Sequence, residues 1–223
     1  MTAVLMSAVI GLAAACGTPS ATATSPPGAA AGGGFGSGGG GSNARSGPAS
    51  GGAAGTVASI SMSSFTMSTS AGQKVTVDEA SSTTYQKGTS SISASAITTG
   101  DYVLVLGMTS GTTITAAQVV MQPTSGGGAA ASSAAGVIPF QPGAPSTSKQ
   151  VGQIPANYTQ GSGTIVSGTT AYDATEAALA AYPGGVVDRV VQLSNGEYEV
   201  HNIGVNWPHH IFVNQDFQVV GAN

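Results

Sequence analysis

Short runs of β-branched residues, most of them alternating with polar residues, fill the stretch from residue 56 to about residue 123. The clearest runs are "TVASISM", "QKVTVDE", "DYVLVLGM" and "TITAAQVVMQ", and turn residues separate them. Successive side chains of a strand point to opposite faces, so alternation marks strands with one buried face. The pattern predicts a meander or small barrel of about five strands. Four alternating residues are assigned to its inward face: Val103, Val105, Val119 and Met121.

The C-terminal part of the chain carries a different pattern. The stretch "TTAYDATEAALAAY" predicts a helix over residues 169–182, which Pro183 and Gly184 end. Three β-rich runs follow, and Asn195-Gly196 between the first two is a strong hairpin signal. A helix followed by three antiparallel strands predicts an α+β unit of about sixty residues.

Two stretches between these patterns lack any apolar period. Residues 17–54 and 124–155 are dominated by Gly, Ser, Ala and Pro, which is typical of flexible tethers. We therefore expect a signal peptide over 1–16, a tether over 17–54, a barrel over 55–123, a linker over 124–155 and an α+β domain over 156–223. The predicted fold class is mostly β plus α+β, with long disordered segments.

Composition narrows the choice of partner. The 223 residues include 34 glycines, only 6% charged residues and five Lys and Arg, for a formal net charge of −4. No basic stripe exists to neutralise phosphates, so we expect no nucleic-acid partner. Electrostatic attachment to anionic lipid is disfavoured for the same reason.

The N-terminus predicts a membrane attachment of another kind. The run "MTAVLMSAVIGLAAACG" is too short for a stable membrane-spanning helix but fits the apolar core of a signal peptide. It resembles a bacterial lipobox that ends at Cys16, the single cysteine, although Leu12 stands four residues before it and no Lys or Arg precedes the run. The resemblance implies lipidation of Cys16 and an exported protein anchored on the outer face of the cytoplasmic membrane, in the cell envelope. An ordinary secretory signal or a buried N-terminal helix are the alternatives.

Several motifs of the barrel region resemble a bacterial family of small OB-like barrels of unknown function. They are Gly55-Thr56-Val57, Ser64-Phe65-Thr66-Met67, Gly72-Gln73-Lys74-Val75-Thr76-Val77, Thr84-Tyr85, Gly100-Asp101-Tyr102-Val103 and Thr115-Ala116-Ala117-Gln118-Val119. The motifs cover almost the whole region, and each is short. Because that family has no established chemistry, the resemblance implies an OB-like fold and no function.

The C-terminal region, from about residue 165 to 223, resembles the PepSY domain. The residues that fill its pattern are Ala177, Ala178, Leu179, Pro183, Gly184, Gly196, Tyr198, Val200, Asp216 and Val219. The stretch "GVNWPHH" departs from the polar turn of that family and resembles PepSY-like repeats of secreted actinobacterial proteins. The resemblance implies inhibition or modulation of peptidases, without catalytic residues in the domain itself.

All three histidines of the chain, His201, His209 and His210, lie within ten residues. Strand alternation places His201 outward beside Glu197 and Glu199, and allows only one of the two adjacent histidines on the same face. Two histidines with one of these glutamates would be the best metal constellation. The other interpretation is a hydrated sheet face beside a turn fixed by Trp207-Pro208.

The leading hypothesis is a non-enzymatic envelope lipoprotein that needs no cofactor. It would bind an envelope peptidase or another extracytoplasmic protein through its PepSY-like domain, using Glu197, Glu199, His201 and Trp207. No catalytic residues are assigned. The alternative is a small-ligand or metal-binding envelope lipoprotein that uses His201 with His209 or His210, or the open face of the barrel.

Overall fold

The computed structural model describes residues 47–122, 154–155 and 158–223, all within one compact unit, Gly38–Asn223. The described chain is mostly β, with one α-helix. The strands are β1 Ala49–Ile60, β2 Ser64–Ser68, β3 Lys74–Lys87, β4 Ser90–Ser91, β5 Tyr102–Ser110, β6 Thr113–Met121, β7 Thr164–Val166, β8 Val186–Gln192, β9 Tyr198–Ile203, β10 His210–Val213 and β11 Val219–Ala222; the helix α1 is Thr169–Ala181. The predicted signal peptide with Cys16, the tether up to residue 46 and the linker from 124 to 153 lie outside the described residues.

Five strands close a barrel in the order β1-β2-β3-β6-β5, with β5 returning to pair with β1. The β3–β6 pair is parallel and the other four pairs are antiparallel. The predicted five-stranded barrel is therefore confirmed. Its inward residues Val103, Val105 and Val119 are fully buried, and Met121 packs against the same core.

The predicted helix is confirmed and ends at Ala181, two residues before Pro183. The strands that follow form an antiparallel meander, β8-β9-β10-β11, and β7 pairs with the end of β8. Four strands follow the helix, where three were expected. The last run is divided by a turn in which the Asn214 side chain accepts hydrogen bonds from the backbone N–H groups of Asp216 and Gln218. Within the described residues, no helix is long and apolar enough to span a membrane.

The end of the predicted tether proved to be a strand. Residues 49–54 begin β1, which pairs with β5 over Ala49–Thr56 and with β8 at Gly52 and Ala53. The prediction of a tether over 17–54 is wrong for these residues because their glycines permit close contact between strands. A Cβ on Gly51 would lie 2.0 Å from the carbonyl oxygen of Val187, and one on Gly52 would lie 2.2 Å from that of Val105.

Two cores share strand β1. Ala53 faces the interior of the barrel, whereas Ala54 lies on the outer face and packs with the helix. The helix presents small residues to this surface, so its backbone approaches the barrel strands closely. The residues packed together here are Ala54, Leu104 and Leu106 of the barrel with Ala171, Ala174 and Ala178 of α1. The helix therefore covers the sheet β8–β11 and one side of the barrel together.

Replacing Gly51 by alanine tests whether close strand contact, and not flexibility, explains the glycine-rich start of β1. In an open strand this substitution is neutral or stabilising, because alanine restricts the unfolded chain. Here the new methyl group would overlap the backbone of β8. We expect Gly51→Ala to lower the free energy of unfolding by about 2–3 kcal/mol in urea titrations. The exposed Ala58→Val in the same strand is the control and should change it little; equal effects would contradict the close-contact explanation.

Candidate histidine–carboxylate site

A cluster of ionisable side chains lies on the face of the sheet β8–β10 that is turned away from α1. In β9, Tyr198 and Val200 enter the core beneath the helix, so alternation sends Glu199 and His201 to the opposite face. His210 stands directly across from His201 in the β9–β10 register. We call this set, with the side chains bonded to it, the histidine cluster: Tyr158, Asp188, Arg189, Glu199, His201, His209 and His210.

A β-bulge in β8 supplies two members of the histidine cluster. Val187 pairs with Asn202 and Arg189 pairs with His201, so Asp188 is an extra residue between them. A bulge re-aims the side chains around it, and both Asp188 and Arg189 reach His201. Asp188 Oδ1 lies 2.6 Å from His201 Nδ1, and Arg189 Nη1 lies 3.3 Å from Asp188 Oδ2.

A second carboxylate–imidazole pair lies deeper. Glu199 is only 2% exposed, and its Oε1 is 2.5 Å from His210 Nδ1. Tyr158 covers this pair: its hydroxyl donates to Glu199 Oε1 at 3.2 Å, and its ring packs edge-on against Phe212 with 4.9 Å between centroids. Burial, followed by the charge of Glu199 and the hydrogen bond to it, raises the pKa of the Tyr158 phenol above its ordinary value. Tyr158 therefore stays a hydrogen-bond donor at neutral pH.

His209 completes the cluster at its exposed edge. Its ring centroid is 6.1 Å from that of His201 and 6.4 Å from that of His210. Partial burial, followed by the neighbouring His201 and His210, lowers the pKa of His209, so its ring is neutral at pH 7. The rings of His209 and His210 both lie beside His201, although strand alternation allowed only one of them on its face. His209 precedes β10, and strand alternation does not govern its side chain.

The carboxylates determine which ring nitrogens are engaged. Arg189 Nη1 also lies 3.1 Å from His201 Nδ1. One nitrogen cannot both donate to Asp188 and accept from Arg189, and the shorter contact places the proton on Nδ1. The same assignment holds for His210 against Glu199. In the neutral rings, Nε2 is then the nitrogen with a lone pair, able to accept a proton or coordinate a cation.

The partner-binding candidates from the sequence do not form one surface. The expectation that Glu199 faces solvent is wrong, because Tyr158 covers it. Glu197 lies at the β8–β9 hairpin, where Asn195 Nδ2 donates to it at 2.9 Å. Trp207 lies beyond the other end of β9 and packs edge-on against Tyr182, with 5.5 Å between centroids. Glu199 and His201 belong to the histidine cluster, whereas Glu197 and Trp207 do not.

Sequence reasoning missed Tyr158, Asp188 and Arg189. The run "VVDRVVQ" did contain a signal, because two adjacent charged residues between pairs of valines break strand alternation and fit a bulge. Nothing in the local sequence of Tyr158 pointed to Glu199, which is 41 residues away.

No family model, curated protein or solved structure matches this chain. The geometry and chemistry of its own residues therefore carry the functional argument.

Removing His210 should destabilise the protein far more than removing His209. His210→Ala leaves the buried Glu199 carboxylate without its imidazole partner, which costs about 3 kcal/mol of unfolding free energy. His209→Ala, at the exposed edge, is the matched control and should cost less than about 0.5 kcal/mol. Urea unfolding of both variants measures the difference. Similar losses in the two variants would mean that the Glu199–His210 pair is not a structural contact.

Alkaline titration tests the raised pKa values of tyrosines that lie wholly or partly inside the structure. Burial is the largest cause that raises the pKa values of Tyr85, Tyr158 and Tyr182 above the ordinary value of 10.0. Their contribution to stability is complete below that value and is lost as the pH rises above it, because the unfolded chain releases these protons first. Phenolate absorbance should therefore rise in two stages, the second coinciding with loss of folded circular dichroism. A single stage with intact structure would contradict this.

Proposed function

We propose that this chain is a non-enzymatic envelope lipoprotein, anchored through Cys16, that binds an extracytoplasmic protein through its C-terminal α+β unit. The lipobox-like run before Cys16 supports the anchor and the export. The pairing of β1 with β8 supports a single rigid body in which the barrel presents this unit to a partner.

The observation that carries the proposal is the connection between β9 and β10. Asn206 is exposed and Trp207 is half-buried, while the flanking Val205 and Pro208 are buried and hold the connection in place. Asn202 Nδ2 donates to the carbonyl oxygen of Pro208 at 3.2 Å, which fixes the backbone further. Rigidly held aromatic residues dominate the binding energy of many protein interfaces, since little side-chain entropy is lost on binding.

The class of partner comes from the PepSY resemblance. A single helix laid on the antiparallel sheet β8–β11 is in keeping with that resemblance, which makes an envelope peptidase the proposed partner and its modulation the proposed effect. For the barrel we propose an OB-like fold. The order β1-β2-β3-β6-β5, with β1 paired to both β2 and β5, supports it.

Site-specific photo-crosslinking in cells tests this surface. One crosslinking residue is placed at Asn206, beside Trp207, and a matched one at Gln192, which is exposed at the hairpin end of β8. We expect Asn206 to capture an envelope peptidase that Gln192 does not capture, because the two positions lie at opposite ends of the sheet.

Inhibition kinetics with the purified chain would then establish modulation. The expected result is a change in the rate of the captured peptidase that Trp207→Ala weakens by about tenfold or more, the loss typical of an aromatic at the centre of an interface. Thermal unfolding must show that this variant remains folded, since Trp207 also contacts Tyr182. Equal capture at both positions, or no peptidase at either, would contradict the proposal.

A further inference from the structure

The histidine cluster brings together the three histidines of the chain: His201 from β9, His210 from β10, and His209 from the residue before β10. Their ring centroids are separated by 5.3 Å for His201 and His210, 6.1 Å for His201 and His209, and 6.4 Å for His209 and His210. We propose that these three imidazoles form a binding site for one divalent transition-metal ion of the zinc or copper class.

The distances lie close to those of a metal-bound set. Metal–nitrogen bonds of about 2.0–2.1 Å place the ring centroids of imidazole ligands roughly 5 Å apart. His201 and His210 already have this spacing, while His209 lies about 1 Å too far from both. Within the described residues, no three His, Cys, Asp or Glu side chains stand in position to hold an ion as they are now placed. Binding therefore requires the exposed His209 side chain to rotate inward, away from its hydrogen bond with the backbone of Asn202.

Two carboxylates prepare the cluster for a cation. Asp188 and Glu199 hold Nδ1 of His201 and His210, which leaves the Nε2 lone pairs of both rings available to a cation. Carboxylates in this second-shell position orient metal-bound histidines and raise their basicity. The cluster holds two carboxyl groups, those of Asp188 and Glu199, against the single guanidinium of Arg189.

Neutral imidazole is a good ligand for Zn²⁺, Cu²⁺ and Ni²⁺, whereas Mg²⁺ and Ca²⁺ prefer oxygen ligands. In addition, the buried Glu199 Oε2 and Arg189 Nε have no hydrogen-bond partner, so the network is not complete in its present arrangement. Three nitrogen ligands leave a fourth coordination position open for an outside group.

Calorimetric titration of the tag-free chain with zinc chloride and copper chloride tests the site. A Cys16→Ser background removes the single thiol, which would otherwise compete for metal. We expect one ion per chain. His209→Ala should weaken binding by about 10-fold or more while leaving the melting temperature unchanged. Glu197→Gln, outside the cluster, is the control and should bind as the background protein does.

A second variant separates ligands from the side chains that position them. Glu199→Gln keeps all three imidazoles but removes the carboxylate from His210, and we expect about a 10–100-fold loss of affinity. Cobalt absorption spectra would add a direct readout, because nitrogen-bound tetrahedral Co²⁺ gives intense visible bands that His209→Ala should remove. Absence of saturable one-to-one binding, or equal affinity in the His209→Ala variant, would overturn the proposal. Failure of metal binding would not affect the proposed binding of a peptidase, which the crosslinking experiment at Asn206 tests independently.

Discussion

The backbone pairing of β1 with β8 is the contact on which the rest of the described structure depends. It requires two strands to approach so closely that Gly51 has no room for a Cβ. Through this contact the barrel and the sheet β8–β11 become one continuous sheet, and α1 can bury its alanine face against both. Close backbone packing at the glycines of β1 adds to a core that is otherwise built mainly from valine and other apolar side chains.

The same contact determines where the histidine cluster forms. Val186 and Val187 pair with β1, and the bulge follows at once, so Asp188 and Arg189 both project beside His201. A strand without the bulge would have sent one of the two charged side chains toward the helix core, at a large desolvation cost. The bulge thus allows both adjacent charged side chains to lie on the face of the sheet that is turned away from the helix core.

The residues of the histidine cluster differ in how far they are exposed to solvent. Tyr158 covers the Glu199–His210 pair, while His209 stays at the edge in contact with solvent. The inner pair is therefore shielded from solvent, and only the edge of the cluster at His209 is exposed. Trp207 lies apart from the histidine cluster, because its ring packs against Tyr182 on the helix side of the sheet. One sheet thus presents a rigid aromatic at one place and a polar, cation-suited cluster at another.

The sequence by itself determined the elements that depend on local periodicity. Alternation gave the barrel strands and the inward Val103, Val105 and Val119; the helix ended where Pro183 required it, and Asn195-Gly196 marked the β8–β9 hairpin. Tertiary structure alone decided the rest. The glycines at the start of β1 predicted a flexible segment, because the sequence does not show that other strands pack against them. Strand alternation could not predict three features of the cluster: the burial of Glu199, its contact with Tyr158, and the approach of His209 to His201. These features depend on the pairing register, on the bulge in β8 and on chain segments that are distant in sequence.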